Sequence, residues 1–207
     1  MTILKHGIDQ LITITELIIN HTVLPYTKLE YIQSTGTQYI NSNILCKSTL
    51  KCQVKFSTDK HSGGCFVGNR GTGESNAFRF FTAGSGTWYL DFGSGESYNR
   101  ISGGSASINT IYNVEFGNRY IKNLDTGSNI ISSSVVGSFT KSYNLNICNS
   151  GENLKIYYCK IYDNNELVRD FIPTKRISDN VICMYDKITK QFFLNEGTGD
   201  FVPGPEI

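Results

Sequence analysis

The chain has 207 residues, with 19 basic and 18 acidic side chains and a formal net charge of +1 at pH 7. All-β sandwiches run to roughly 200 to 250 residues as one unit, so the length suits a single domain with one sizeable core. Near-neutral charge and no long basic run exclude the electrostatic footprint of a nucleic-acid binder. Abundant Gly, Asn, Ser, Thr and Tyr with only four Pro is the usage of short strands joined by tight turns.

The first 24 residues, MTILKHGIDQLITITELIINHTVL, are rich in Ile and Leu but interrupted by Lys5, Asp9 and Glu16. They lack a small-residue cleavage site and an unbroken apolar run, so neither a signal peptide nor membrane insertion is expected. Leu4, Ile8, Leu11 and Ile18 share one helical face, while Ile12-Thr13-Ile14-Thr15 alternates like a strand; both conformations stay open. Either one leaves apolar surface to cover, against the following domain or against another chain. The expectation is an attachment or oligomerisation segment at 1–24 ahead of a β-sandwich domain at 25–207.

From Pro25 onward the texture is strand and turn. Residues 29–44 hold two short β-like pieces around Ser34-Thr35-Gly36, and 49–57 alternates Leu50, Cys52, Val54 and Phe56 with Lys51, Gln53 and Lys55. The second is a half-buried strand with a solvated Lys face. Further runs follow at 65–67, 77–82, 87–92, 111–116, 119–122, 129–132 and 144–148, with Gly-rich joints at 62–64, 84–86, 93–95 and 103–104. The clearest local signal is 154–173, where Ile156, Tyr158, Lys160 and Tyr162 alternate with Tyr157, Cys159, Ile161 and Asp163. Asn164 and Asn165 tolerate left-handed backbone, and a second apolar-rich run from 167 to 172 ends at Pro173, which predicts a hairpin. Residues 181–185 and 191–194 pair across 186–190. A dozen short strands without a convincing helix imply two packed antiparallel sheets.

The six cysteines, at 46, 52, 65, 148, 159 and 183, form no CxxC pair, and Cys52, Cys159 and Cys183 lie in strand-like apolar runs. They read as free, buried thiols, suited to assembly in a reducing cytoplasm. His6, His21 and His61 have no ligand spacing with them, so no zinc site is expected.

Three blocks carry a family resemblance: LEYIQSTGTQYINSNI at 29–44, KIYDNNELVRDFIP at 160–173 and MYDKITKQFFLNEGTGDF at 184–201. In this order and separation they resemble the concanavalin A-like (laminin G-like) jelly-roll domains of tailed-bacteriophage structural proteins and of surface proteins of gut bacteria. The resemblance spans about residues 25 to 204, its middle part in texture only. It implies an all-β, two-sheet antiparallel jelly-roll β-sandwich acting as a non-enzymatic virion structural protein: a head fibre, capsid decoration or tail component made in the host cytoplasm. Its implied partners are other virion proteins through residues 1–24, a homo-oligomer for which a trimer would fit a fibre, and a host-surface glycan. A carbohydrate-binding surface protein of a gut bacterium is the alternative, and a glycoside hydrolase the remote one.

Sugars are held by an aromatic ring against the pyranose face with amides, carboxylates and guanidinium groups on the hydroxyls. Trp88 and Tyr89, with Arg79, Tyr98 and Arg100 close by, are the candidate carbohydrate-binding residues, and Asn99, Asn69 and Arg70 could share their rim. The competing reading puts Trp88 in the core. A retaining or inverting hydrolase needs two facing carboxylates. Asp91 and Glu115 each lack an acidic residue two or four positions away, and Glu96 lies five beyond Asp91 in a Gly loop. His61 is the one histidine within the sandwich that could serve a nucleophile. No catalytic residue, metal or cofactor is therefore expected; Asp125 and Asp186 lack the clustered oxygens of a calcium site. Arg169 and Asp170 are consecutive on a strand, face opposite ways and read as structural partners.

Overall fold

The computed structural model describes residues 24–70, 77–94, 97–134, 138–149 and 153–207, with the side chains of 70, 94, 97 and 98 outside that description. The segment 1–24, expected to serve attachment, lies outside it except for Leu24. Strands form where branched and aromatic residues alternate with polar ones. The first are β1 (Tyr26–Lys28), β2 (Ile32–Thr35), β3 (Ile40–Lys47), β4 (Leu50–Thr58), β5 (Val67–Arg70) and β6 (Ala77–Ala83). There follow β7 (Thr87–Ser94), β8 (Ser97–Ser105), β9 (Tyr112–Phe116), β10 (Tyr120–Asn123), β11 (Asn129–Ser132) and β12 (Thr140–Ile147). The last are β13 (Asn153–Asp163), β14 (Glu166–Arg176), β15 (Ile182–Asp186), β16 (Gln191–Phe193) and β17 (Val202–Pro203). No helix occurs among the described residues.

Every pairing is antiparallel. The larger sheet runs β11-β10-β9-β4-β13-β14-β15-β16, with β1 beside β14 and with β2 between β13 and β17. The smaller runs β3-β12-β5-β6-β7-β8. The chain is thus an all-β, two-sheet antiparallel sandwich of jelly-roll-like form.

Alternation decides which side chains fill the space between the sheets. Leu50, Cys52, Val54 and Phe56 of β4 are buried, while Lys51, Gln53 and Lys55 look outward. On the facing sheet Phe78 and Phe80 of β6 and Trp88, Leu90 and Phe92 of β7 point in. Rings dominate the interior: Phe80 stacks on Trp88 at 5.5 Å and 10°, and Phe56 meets Phe66 at 4.9 Å. Each fully buried ring contributes roughly 1.5–3 kcal/mol by leaving water, with edge and offset geometry adding to it.

The 154–173 hairpin forms as expected. Asn164 and Asn165 occupy the left-handed region at φ 48° and 68°, the geometry whose twist matches the flanking strands. Pro173 does not end the second strand, however; β14 continues to Arg176 and Pro173 pairs with Met184. Its carbonyl points away from β15 and accepts from the Leu29 N–H at 3.0 Å, so the missing N–H removes no ladder bond to β15. Gly103 and Gly104, expected as a joint, lie inside β8. An added Cβ on Gly103 would come within 2.8 Å of Ile131, and Gly104 holds φ +61° beside Ile130, so these glycines let β8 pass close against β11. The strand expected at 65–67 begins instead at Val67, with Phe66 donating to the Phe80 carbonyl just outside it.

All six cysteines are buried and free. Burial pushes their thiols upward, Cys65 to about 12.

Candidate binding site

β6, β7 and β8 turn a second set of side chains outward, and the sequence-predicted residues divide between the two faces. Trp88 faces inward. It is 1% exposed, stacked on Phe80 and edge-on to Phe56 and Tyr112 at 6.0 and 5.0 Å. Its ring is a core element and offers no platform to a sugar, because Thr87, Tyr89 and Asp91 hold the outward positions of β7. Tyr89 is half-buried on the outer face, stacked on Phe81 at 5.0 Å and 11°.

Arg79 and Arg100 converge on Asp91 beside these rings. Arg79 Nε donates to Asp91 Oδ2 at 2.8 Å; Arg100 Nε and Nη2 donate to Oδ1 and Oδ2 at 2.6 and 2.9 Å. The two guanidinium groups lie over Phe81 at 4.2 and 5.5 Å, and Arg100 also lies over Tyr89. The Asp91 carboxylate, 1% exposed, is held by paired charge and donors as a buried ion must be. Tyr98 stands on β8 opposite Gly93, with its side chain outside the description, as is that of Arg70. Asn99 pairs with Phe92 and so takes the inward side. Asn69 is committed internally, donating to the Asn144 carbonyl at 2.9 Å and accepting from Asn149 at 3.2 Å.

Asp91 and Glu115, weighed together for hydrolysis, stand on the outer faces of different sheets. Glu115 accepts from Gln53 Nε2 and the Tyr120 hydroxyl, both at 2.8 Å. They cannot flank one scissile bond. His61 Nδ1 lies 2.8 Å from Thr82 Oγ1. Arg169 donates to the carbonyls of Ser42 and Val168, and Asp170 pairs with Lys187 at 2.7 Å, so both act as structural partners. Asp186 accepts from the N–H groups of Ile188 and Thr189 and closes the β15–β16 turn, while Asp125 accepts from Asn113. No group of three or more His, Cys, Asp or Glu gathers among the described residues.

A polar cleft of about 300 Å³ opens on the larger sheet, where the ends of β2, β4 and β13 meet the loop before β9. Tyr157 and Lys155 of β13 form one wall; Gln33, Asp59, Asn109 and Asn153 supply planar polar groups. Asn153 Nδ2 donates to Asp59 Oδ2 at 2.8 Å. Tyr157 is braced edge-on by Tyr31 at 5.5 Å and has Lys55 over its ring at 5.6 Å. Asn109 adopts φ 56° and donates to the Thr58 carbonyl, which brings its loop against β4. Strict alternation groups Lys155 and Tyr157 with Cys159 and Ile161, which are buried; the bulge between Ile156 and Tyr158 shifts the parity and leaves both facing outward, which the sequence pattern did not show. Their meeting with Asp59 and Asn109 depends on β13 pairing with β4, with Leu154 opposite Thr58.

Fold and surface define a class: an all-strand sandwich with one face carrying an arginine-clamped aspartate and the other a small polar, aromatic-walled cleft. No protein-family model matches the chain, and no curated protein matches it significantly.

Proposed function

We propose that this protein is a non-enzymatic particle-surface component, a virion fibre, capsid decoration or tail part, whose sandwich adheres to glycan through the cleft at Asp59 and Tyr157. The cleft carries the proposal. It sets a braced aromatic ring beside a carboxylate, three side-chain amides and a lysine, the groups that grip a pyranose ring and its hydroxyls. The resemblance of 29–44, 160–173 and 184–201 to the concanavalin A-like domains of tailed-phage structural proteins supports display on a particle. The apolar composition of 1–24 leaves surface to cover, by the following domain or by another chain, and the second option fits a particle component.

A glycan array with the full-length chain tests the adhesion reading. Binding to at least one glycan is expected, with a loss of about tenfold or more in Tyr157→Ala and Asp59→Asn, each of which removes one group of the cleft. An array without binding, or variants that bind like the parent, would refute it.

A further inference from the structure

A second cleft, of about 460 Å³, opens on the outer face of the larger sheet over β9, β10 and β11. Alternation builds it: Ile121 of β10 is buried in the core, so Tyr120 and Lys122 turn outward. Pairing then sets Lys122 between Glu115 of β9 and Asn129 of β11, and Tyr120 beside Ser132. Arg119, exposed in the turn between β9 and β10, completes the basic side of the lining. The Tyr120 ring rests on Gly117, where an added Cβ would lie 2.9 Å from it, so a side chain at that position would displace the ring.

Charge complementarity names the ligand. Glu115, the acid of the lining, is already committed: its carboxylate accepts from Tyr120 and Gln53, and Lys51 Nζ lies 3.8 Å from Oε2. Burial, and the hydrogen bond to Glu115, raise the Tyr120 phenol above its ordinary value, so it stays a neutral donor. Lys51 offsets Glu115, and Arg119 and Lys122 remain as an excess of positive charge. Neither forms an ion pair with another described residue. A concave site lined by one sign of charge draws the opposite sign.

The two clefts share one face. Glu115 of the second pairs with Gln53, and Ser57 of the first lies four residues further along β4, roughly 13 Å at about 3.3 Å per residue. Lys55 stands midway, opposite Asn113 and Tyr158, with its Nζ over the Tyr157 ring. We propose that, given the first cleft as a glycan site, the second holds a carboxylate of the same glycan, so that the ligand is an acidic polysaccharide. The planar Arg119 guanidinium can take both carboxylate oxygens while the Lys122 ammonium adds a point charge. A ligand long enough to occupy both clefts gains avidity that a single sugar ring, too short to reach both, lacks.

Titration calorimetry of the full-length chain with tetragalacturonate and with its methyl ester, the same backbone without charge, tests this. The acid should bind at least about fivefold more tightly than the ester, the factor expected of two solvent-screened ion pairs. Arg119→Ala/Lys122→Ala, which alters only side chains on the outer face, should erase that preference and leave ester affinity unchanged. Tyr157→Ala should weaken both probes about tenfold. A chain that binds neither probe, or both equally, overturns the inference, as does a double variant that keeps the preference; in each case neutral glycans on the array still decide adhesion through the first cleft. A Tyr157→Ala variant that binds both probes like the parent overturns the adhesion reading itself, and the joined site with it.

Discussion

Asp91→Asn probes the ion cluster that Asp91 forms with Arg79 and Arg100. The carboxylate is 1% exposed and accepts three charge-assisted hydrogen bonds, at 2.6, 2.8 and 2.9 Å. Bonds of this kind contribute roughly 1.5–3 kcal/mol each when desolvated. Arg100 is 38% exposed, so water screens its share toward the 0–1 kcal/mol of a surface pair, whereas the Arg79 side chain is only 10% exposed. The amide keeps one acceptor but turns an N–H₂ toward a guanidinium and removes the anion that Arg79 and Arg100 share. Removing one partner of a buried pair costs about 3–5 kcal/mol, and the exposure of Arg100 places this case near 3. With an m-value of about 2 kcal/mol/M, the urea midpoint should fall by about 1.5 M at unchanged m. Arg100→Ala should cost only about 1 kcal/mol. An Asp91→Asn penalty below about 1 kcal/mol, or an Arg100→Ala penalty equal to it, would refute this account of the cluster.

Trp88→Ala should destabilise by about 4 kcal/mol through loss of a core ring, while Trp88→Phe folds and keeps whatever glycan binding the parent shows. Abolished binding in the folded Phe variant would put the indole back at a ligand site. Lys47 Nζ at 2.6 Å and Thr49 Oγ1 at 2.7 Å hold the Asp163 carboxyl below its ordinary value. Because the folded value is the lower one, the stabilisation is present above about pH 4 and is lost as pH falls through that lowered value. Asp163→Asn should therefore cost up to about 1 kcal/mol at pH 7 and nothing in strong acid, and a gap that persists at pH 2 contradicts the pairing. With six buried thiols raised by desolvation, the native chain at pH 8 should react with a thiol reagent only as it unfolds, and all six should react in guanidinium. Immediate labelling of any cysteine in the native chain would contradict that burial.

Local patterning made much of the sandwich legible. The alternation in 49–57 located β4 and its inward set, and Asn164-Asn165 marked the β13–β14 turn because few other residues accept positive φ. The misreadings share a cause. Pro173 and Gly103-Gly104 read as punctuation in the sequence, yet each sits within a strand whose neighbours tolerate or require it: no β15 bond is lost at Pro173, and β11 crowds the two glycines. For the candidate site, the chain near Trp88 drew attention to Arg79, Tyr89 and Arg100, and these do gather on one face. It drew the eye equally to the indole, which the opposite parity of β7 sends inward.

What the sequence determined unaided is the period of two, and with it an all-strand chain whose apolar half must be walled in. Which strands become neighbours was decided only in three dimensions. Asn146 and Arg79 flank Gly68 because β5 pairs with β12 on one side and β6 on the other, and Tyr157 and Asp59 line one cleft because β13 lies against β4. Alternation assigns each side chain to a face at short range, but strand order comes from long-range packing of that face against a second sheet, and the binding surfaces exist only after that order is set.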